Sequence, residues 1–367
     1  MTELGHRVVV VGGGVIGLTA AAALLARAPH VSVTVLERAA AGEGASAYAG
    51  AMDIPYFRNA FQRDLVRASW GWHEARGDGA TEYRRMVPMT WFAESDLELQ
   101  SSIMAPLIAA PLAAPPGWHA AAGMCSLRSP SFVIDPSAWC RALVRELVQS
   151  GRAEVIEKAE VIALEAEPRG PVRVNCTGGR SHIADHVVLA LGPWLPGWNE
   201  RTRAWVSSIG LRTKHVFGLN VELSSAADPG IAVGWPAADI YFHPAPALFH
   251  PAPTALSGRA YRLSLRYDEW DVDPDAEHPM ADAVLERAGT FLDRLLGPGA
   301  WSVVGQRVFV DSYTPDFQAF VGSCGTLGQD VTIATGTHGS GVRMAPGIAE
   351  LVARAVLDRL TQIEVAA

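Results

Sequence analysis

The chain has 367 residues, of which 49% are hydrophobic and 19% are charged. This length favours two structural units that share one ligand, and the hydrophobic fraction argues against a disordered chain. The 38 acidic residues outnumber the 30 basic ones and give a net charge of -8. A nucleic-acid-binding protein should have a basic excess or a basic cluster, so we expect no nucleic-acid partner.

The cysteines and one apolar segment indicate the cellular compartment in which the protein is expected. Cys125, Cys140, Cys176 and Cys324 form no Cys-x-x-Cys pair, which disfavours a zinc site or any other metal centre. Free buried thiols fit a reducing cytoplasm. Val8–Ala26 carries no charge and is long enough to suggest a membrane span, but its four glycines divide it into two short pieces. We therefore expect a cytoplasmic protein with no membrane partner.

The first elements along the chain predict a βαβ unit. Val8–Val11 is β-branched, as is typical of a strand that is buried on both faces. Glycines follow it at once, and Leu18–Arg27 then has the alanine-rich composition of a helix. Ser32–Leu36 is the second strand, so the sheet should be parallel.

Further along, the patterns predict more helices and strands. The predicted helices are Leu65–Ala75, Asp135–Ser150, Ala281–Leu296 and Ala345–Leu360, with Asp135 as a cap and Pro136 at the first helical position. The predicted strands are Glu154–Ile162, Val172–Cys176, Val187–Leu191, Val303–Val310 and Val331–Ala334. Between Ser207 and Tyr267, strand-like alternation interrupted by prolines predicts an antiparallel sheet with long turns.

These elements divide into two groups. The α/β elements fall at both ends and in the middle of the chain, so residues 1–85, 130–206 and 300–367 are predicted to form one nucleotide-binding domain. Residues 86–129 and 207–299 are predicted to form a substrate domain inserted into it.

A glycine loop connects the first strand to the first helix. Gly12 permits a tight turn, Gly14 lets the backbone approach a pyrophosphate, and Gly17 lets the helix pack closely on the strand. Glu37 ends the second strand, where it can accept hydrogen bonds from ribose hydroxyls. Its carboxylate would repel a 2′-phosphate, which disfavours NADP and leaves NAD and FAD open.

Three later segments complete a recognisable set. They are Gly42–Ser46 followed by Ala49–Gly50, Val187–Trp194, and Ala334–Pro346. Together with the glycine loop, they resemble the D-amino-acid, glycine and sarcosine oxidase family of FAD enzymes. The resemblance covers almost the whole chain and is weakest between about Trp91 and Ser126.

The resemblance implies an α/β fold and a flavin chemistry. It implies a Rossmann-like FAD-binding domain with an inserted α+β substrate domain built on a mostly antiparallel sheet. It also implies hydride transfer from the C–H bond beside an amine nitrogen to the flavin, giving an imine that hydrolyses in water, with oxygen reduced to hydrogen peroxide. The alternative is a dehydrogenase of the same fold with a non-oxygen electron acceptor. The substrate is a small amine or amino acid, usually with a carboxylate; the particular amine and the oligomeric state are not readable.

The cofactor-binding residues carried over from the family lie in all four segments. Gly339 and Gly341 permit a turn pressed against a planar ring, and a helix beginning near Pro346 would point its positive end at that turn. The expected FAD-binding residues are Gly12, Gly14, Val15, Ile16, Gly17, Glu37, Arg38, Ser46, Val161, Gly192, Trp194, Gly339, Ser340, Gly341, Val342 and Arg343.

Locally, the chain is most similar to monomeric sarcosine oxidase and its relatives, in Tyr261–Asp275 and Tyr313–Asp316. Arg343 matches a position where those enzymes place a lysine that binds the substrate carboxylate, a task that suits a planar guanidinium. Arg58 matches a second carboxylate-binding arginine. The competing interpretations are a salt bridge for Arg343 and packing on neighbouring aromatic rings for Arg58.

The chain also departs from these relatives. Relatives that attach FAD covalently do so through a cysteine or a histidine at two places in the chain. Here no cysteine lies near Phe309 and no histidine lies within Ala45–Gly50, so we expect FAD to be bound non-covalently. Ser264 stands where the relatives carry the lysine that activates oxygen, with Arg262 and Arg266 on the same strand face.

Four further positions belong to the expected active site. Lys214 is another candidate for the cation that activates oxygen. Asp268 replaces a common histidine, either as a loop carboxylate or as a contact for a basic group of the substrate. His338 is expected to contact the flavin or backbone rather than to act as a base. Tyr313 either lines the pocket, with Tyr241, Tyr267 and Trp270, or packs in the core. The expected catalytic set is Arg343, Arg58, Ser264 and Tyr313.

Overall fold

The computed structural model describes residues 5–104, 108–109, 125–166, 170–224, 231–245, 260–265 and 267–366. Its strands are β1 (His6–Val11), β2 (Val31–Leu36), β3 (Met52–Asp53), β4 (Arg84–Ala93), β5 (Ile108–Ala109), β6 (Cys125–Ile134), β7 (Ala153–Ile156), β8 (Val161–Ala166), β9 (Val172–Cys176), β10 (Ser181–Ala184), β11 (His186–Leu189), β12 (Arg212–Leu223), β13 (Ala232–Trp235), β14 (Ile240–Pro244), β15 (Ala260–Leu265), β16 (Trp301–Tyr313), β17 (Phe320–Ser323) and β18 (Val331–Thr335).

The helices lie between these strands and after the last one. They are α1 (Val15–Arg27), α2 (Ala45–Tyr48), α3 (Ala60–Ala75), α4 (Asp96–Ser102), α5 (Pro136–Gln149), α6 (Glu200–Ser208), α7 (Asp282–Leu296) and α8 (Gly341–Ala366). No helix in the described part of the chain is long and apolar enough to cross a membrane.

The first sheet has six strands in the order β17-β18-β11-β1-β2-β7. All its neighbours pair in parallel except β17 and β18. Helices α1, α5 and α8 pack on one face, and the three-stranded antiparallel sheet β10-β9-β8 covers the other. Both faces are therefore buried, which explains the unbroken valine runs of β1 and β2. The predicted Rossmann-like α/β fold is confirmed.

The second sheet has nine strands, in the order β16-β12-β15-β14-β13-β4-β6-β3, with β5 paired to β6. Its neighbours are antiparallel except β13 and β4. Helix α7 packs on one face, where Tyr261, Leu263 and Leu265 of β15 point. Because side chains alternate along a strand, Arg262 and Ser264 point to the opposite face.

The predicted start of α5 is confirmed in detail. Asp135 is the N-cap, and its side chain accepts a hydrogen bond of 2.8 Å from the backbone N–H of Ala138. Pro136 occupies the first turn, where its missing N–H costs no hydrogen bond.

One predicted strand, Glu154–Ile162, is wrong. The structure divides it into β7, which extends the six-stranded sheet, and β8, which belongs to the three-stranded sheet. Lys158 lies between them with φ +55°, a left-handed conformation that a strand cannot contain. The backbone N–H groups of Lys158 and Ala159 instead donate to Ala39 and Glu37.

The last helix begins earlier than predicted. It starts at Gly341 rather than near Pro346, which lies inside it. A proline within a helix removes one backbone hydrogen bond. At this point α8 packs closely on α3, where the N–H of Gly347 donates to the Ser69 hydroxyl at 3.1 Å.

Predicted domain boundaries do not coincide with the sheets. Strand β6 continues past residue 130, and β16, placed in the nucleotide-binding domain, pairs with β12 in the nine-stranded sheet. The residue types of β16 suit a strand in either sheet, so its partner is not readable from sequence. The division of the chain into two domains stays a prediction.

Candidate active site

The glycine loop forms a close-packed turn between β1 and α1. Gly12 has φ +107°, and a Cβ there would lie 2.4 Å from the carbonyl oxygen of Ala190. A Cβ on Gly17 would lie 1.9 Å from the Gly12 oxygen. Helix α1 has no acidic residue in its first turn and no side-chain cap at Gly14. Its positive end is therefore open to an anion such as a pyrophosphate.

Ser46 approaches the same helix end. Its Oγ accepts a hydrogen bond of 3.0 Å from the Val15 N–H, and a Cβ on Gly14 would lie 3.1 Å from it. Because a hydroxyl that accepts one bond still has its own hydrogen, Ser46 can donate to a phosphate at this position.

Glu37 supports the loop from the other side. Its two carboxylate oxygens accept hydrogen bonds from the backbone N–H groups of Gly13, at 2.7 Å, and of Ala39, at 2.9 Å. Each oxygen keeps a second lone pair, so the predicted bonds from ribose hydroxyls are compatible with this bracing. The sequence pattern indicated the ribose role but not the contact with Gly13.

A cavity of about 530 Å³ runs along these residues and ends at the glycine turn before α8. This volume is within the range of cofactor sites. The predicted residues that line it are Gly12, Gly14, Val15, Ile16, Glu37, Arg38, Ser46, Val161, Gly192, Trp194, Gly339, Gly341 and Val342. Three predicted residues do not line it: Gly17 packs beneath the loop, and Ser340 and Arg343 line a neighbouring cavity.

The second cavity, of about 110 Å³, adjoins the first. Ala49, Phe309, Gly339 and Val342 line both. The second cavity is lined by charged and polar side chains from several strands, from α8 and from loops, among them Arg58, Lys214, Asp239, Tyr241, Ser264, Tyr313, His338 and Arg343. A ligand that fills the first cavity would thus have one end, here called its inner end, next to the polar second cavity.

Arg343 is buried at the start of α8. Its guanidinium donates to the Tyr56 carbonyl at 2.9 Å and to the Ser340 hydroxyl at 3.0 Å, while Nε is buried without a partner among the described residues. Burial lowers the pKa of Arg343. Among the described residues no carboxylate forms an ion pair with it, whereas Arg58 and Arg84 each have one.

Arg58 lies on the same cavity. It forms an ion pair of 3.3 Å with Asp239, and its guanidinium lies 5.1 Å from the ring of Phe317. The aromatic contact exists, but with a residue distant in sequence rather than with Tyr56 or Phe57.

Ser264 and Lys214 line the same cavity. Ser264 lines the cavity and its hydroxyl donates to the Phe217 carbonyl at 3.4 Å. Arg262 instead donates to the Ala49 carbonyl at 3.0 Å, and Arg266 lies outside the described residues. Lys214 is buried on the cavity wall, with Nζ 3.1 Å from the half-exposed Asp268 carboxylate. Asp268 is therefore the partner of Lys214.

Three residues on the wall of the second cavity have a positive backbone φ although they are not glycine. These residues are Ala51, Asp239 and His338, with φ of +65°, +53° and +55°. Such conformations are costly and concentrate at functional sites. His338 bonds Thr314 through Nε2 at 3.0 Å, and burial lowers its pKa to about 4, so it is neutral at pH 7. Tyr313 packs edge-on against His338 and Trp270.

Comparison with known proteins identifies the family. A family model described as FAD dependent oxidoreductase matches residues 7–355. The chain belongs to this family. The oxidoreductase therefore uses FAD, and the glycine loop, Ser46 and the first cavity fit that cofactor. No curated protein sequence matches the chain.

Solved structures with the same fold include enzymes of different activities. L-proline dehydrogenase from P. horikoshii superposes with a TM-score of 0.80 at 18% identity, covering 97% of this chain and 94% of that one. Glycine oxidase from Geobacillus kaustophilus gives 0.72 at 18%, covering 96% and 95%. Iminodiacetate oxidase from Chelativorans sp. BNC1 gives 0.71 at 19%, also covering 96% and 95%. At these identities the likeness shows the fold alone.

The structure adds two acids to the FAD site that the sequence pattern did not indicate. Asp275 accepts hydrogen bonds from Trp194 Nε1 at 2.7 Å and from Arg38 at 3.0 Å, and so closes the outer wall of the first cavity. Asp311 on β16 accepts from the Gly339 N–H and the Thr337 hydroxyl, and so holds the turn before α8. Asp275 ends the segment that resembles the sarcosine oxidase relatives, but the resemblance assigned it no role, and nothing in the local sequence distinguishes Asp311 from a surface carboxylate. No metal-binding group of three or more His, Cys, Asp or Glu occurs among the described residues.

Proposed function

We propose that this FAD-dependent oxidoreductase oxidises the C–N bond of a small amine or amino acid to an imine and that oxygen is the final electron acceptor. In this reaction FAD supplies the hydride acceptor, oxygen is reduced to hydrogen peroxide, and the imine product hydrolyses in water. The observation that carries the proposal is the small, cationic cavity that shares four residues with the inner end of the FAD site.

We assign the substrate carboxylate to Arg343 and Arg58. Both guanidinium groups line the cavity, and Arg343 has a buried Nε without a partner among the described residues. A buried cation whose hydrogen bonds are incomplete favours an anionic ligand strongly. Asp239 neutralises Arg58 in part, so Arg343 is the stronger anchor.

The remaining polar residues position the amine. His338 is neutral, so it can bond a neutral amine without adding a charge to the cavity. Tyr241 and Tyr313 bring hydroxyl groups to the same walls. Hydride transfer from a neutral amine requires no strong base, and burial in this chamber excludes bulk water from the reacting carbon.

We assign the activation of oxygen to Lys214 rather than to Ser264. A buried cation stabilises the negative charge that develops on reduced oxygen. Lys214 is such a cation, whereas the Ser264 hydroxyl is uncharged and bonds the backbone. Lys214→Met should lower the rate of reoxidation by oxygen at least about tenfold without changing anaerobic reduction, as stopped-flow absorbance would measure.

The test of the substrate assignment is an anaerobic screen of amines and amino acids for bleaching of the bound flavin. Arg343→Ala should weaken the apparent affinity for carboxylate substrates by roughly 10- to 100-fold, because a charge-assisted pair is lost. Amines without a carboxylate should be unaffected, and Arg67→Ala on the exposed side of α3 is the matched control. Unchanged affinity for carboxylate substrates would remove this assignment.

A dehydrogenase with a non-oxygen acceptor is the second candidate. The ion pair between Lys214 and Asp268 favours it, because a neutralised lysine stabilises reduced oxygen less. Slow reoxidation of the reduced protein in air, together with fast transfer to an artificial dye, would support this candidate. Steady hydrogen peroxide formation would support the oxidase.

We also propose a cytoplasmic location. Cys140, Cys176 and Cys324 are free and buried, which is compatible with a reducing compartment.

A further inference from the structure

Most of the charged side chains at the second cavity belong to ion pairs. Arg58 Nη2 lies 3.3 Å from Asp239 Oδ1, and both residues line the cavity. Lys214, on the same wall, has its Nζ 3.1 Å from Asp268 Oδ1. Each pair joins one cation to one carboxylate, so together the two pairs contribute no net charge to the cavity.

Arg343 is the exception on this wall. Its guanidinium donates to the Tyr56 carbonyl at 2.9 Å and to the Ser340 hydroxyl at 3.0 Å, and both of these acceptors are uncharged. Asp53 acts electrostatically on Arg343, but its carboxylate forms an ion pair of 2.8 Å with Arg84. Among the described residues, no acid is therefore left to neutralise Arg343.

The histidines on this wall add no further positive charge. Burial lowers the pKa of His338 and that of His243 to about 4, so both rings are neutral at pH 7. His215 Nδ1 lies 2.8 Å from the Glu269 carboxylate, so a proton on this ring would be neutralised by that acid. The described walls of the cavity thus carry one uncompensated positive charge, that of Arg343.

A cavity with one uncompensated cation selects the charge of its ligand. A neutral amine with one carboxylate carries a single negative charge, which matches the single charge of Arg343. A second carboxylate would enter a cavity without a free cation, and the burial of an unpaired charge is costly. It would also meet Asp239, whose negative charge repels it.

The backbone holds Asp239 at this wall. The residue has φ +53° and directly follows a short turn of 3₁₀ helix, Pro236–Ala238. Its N–H donates to the Pro236 carbonyl at 3.0 Å. Aspartate tolerates this left-handed conformation better than most residues, and glycine adopts it without strain. The turn brings the carboxylate to Arg58, which lies 181 residues away in sequence.

We propose that Asp239 determines the substrate specificity of this cavity by neutralising Arg58, which restricts the substrate to amines with one carboxylate. Dicarboxylic amino acids are rejected because Arg58 is already paired and because Asp239 repels the second carboxylate. Specificity of this kind arises from an unfavourable interaction with the wrong ligand rather than from a new contact with the right one. The inference rests on the proposed function, in which Arg343 is the stronger anchor for the substrate carboxylate.

The test is a titration of the FAD-loaded protein with acetate and with malonate, followed by the change in flavin absorbance. The wild type should bind acetate at least about tenfold more tightly than malonate, because only one cation is uncompensated. Asp239→Asn frees Arg58 and should bring the two affinities close together, mainly by strengthening the binding of malonate. Asp64→Asn, at an exposed acid of α3, is the matched control and should keep the wild-type ratio.

Two further variants make the outcome decisive. Asp239→Gly suits the positive φ, so it should behave as Asp239→Asn does and replaces that variant if it does not fold. In Asp239→Asn combined with Arg58→Met, the gain in malonate affinity should disappear, because it comes from the freed guanidinium. A wild type that binds malonate as tightly as acetate would overturn the proposal. An unchanged ratio in both Asp239 variants, or a gain that persists without Arg58, would overturn it as well.

Arg343→Ala separates this inference from the proposed function. Loss of acetate binding in that variant, together with an unchanged ratio in the Asp239 variants, would overturn the role of Asp239 alone. Acetate binding that survives in Arg343→Ala would instead remove the carboxylate assignment of the proposed function, and this inference with it.

Discussion

Asp311 shows how one buried acid holds a cofactor-binding turn. It lies on β16 directly below the turn, and its carboxylate accepts hydrogen bonds from the Ser312 N–H, the Gly339 N–H and the Thr337 hydroxyl. Burial raises its pKa from the usual 3.8 to about 6, although these bonds oppose the shift. The carboxylate is therefore ionised at neutral pH and becomes protonated in mild acid.

This raised pKa predicts a pH dependence of stability. The folded chain binds the proton more tightly than the unfolded chain, so the contribution of Asp311 is present in full below pH 4 and is lost as the pH rises through 6. The free energy of unfolding should fall by about 3 kcal/mol at most. Urea denaturation of the apoprotein between pH 4.5 and 7.5 measures it.

The matched variant is Asp311→Asn, in which this pH-dependent loss should be absent. It should also bind FAD more weakly at pH 7, because an amide oxygen replaces a carboxylate that accepts several bonds. A wild-type curve parallel to that of the variant across pH 6 would contradict the assigned pKa.

At the scale of elements, α3 and α8 make a close contact at Gly347. Ser69 on α3 accepts from the Gly347 N–H and donates to the Leu65 carbonyl at 2.8 Å. A Cβ on Gly347 would lie 2.5 Å from that carbonyl oxygen. The backbones of the two helices therefore touch next to Pro346, which lets α8 run unbroken from the flavin turn to its end.

Two glycine substitutions distinguish the effect of this close contact on stability from the effect of intrinsic helix propensity. Gly347→Ala should destabilise the apoprotein by about 1 to 3 kcal/mol, because the new methyl group meets backbone. Gly71→Ala, in α3 with no atom within 4 Å of the added Cβ, should stabilise it by up to about 1 kcal/mol. Free energies of unfolding from urea denaturation give both. A neutral or stabilising Gly347→Ala would contradict the close approach.

At the scale of the whole molecule, the FAD cavity joins the two large sheets. Gly12 and Glu37 come from the six-stranded sheet, whereas Phe309 and Asp311 come from the edge strand of the nine-stranded sheet. A ligand that contacts both sheets stabilises the folded chain by mass action, since the unfolded chain cannot bind it.

FAD should therefore raise the thermal midpoint of the apoprotein by several degrees, because saturation at 100 times the Kd contributes about 2.7 kcal/mol. NAD at the same concentration is the control and should have little effect.

Acid precipitation should leave the flavin in the supernatant if binding is non-covalent, as the absence of a cysteine near Phe309 predicts. Flavin retained in the pellet would contradict that prediction.

The sequence by itself determined the cofactor fold and many of the residues around it. The valine run of β1, the spacing of Gly12, Gly14 and Gly17, and Glu37 are local features, and each acts within one βαβ unit. The same holds for the cap at Asp135, which depends only on the residues that follow it. Local chemistry of this kind is readable because the groups that must meet are close along the chain.

The tertiary structure alone decided what surrounds the flavin's inner end. Lys214 pairs with Asp268, Asp239 pairs with Arg58 across 181 residues, and Asp311 supports a turn 28 residues later. Elsewhere in the chain, the hydrogen bond between His215 and His278 joins residues that are 63 positions apart. Sheet register and strand facing bring these groups together, and a pattern of residue types along the chain does not contain that information.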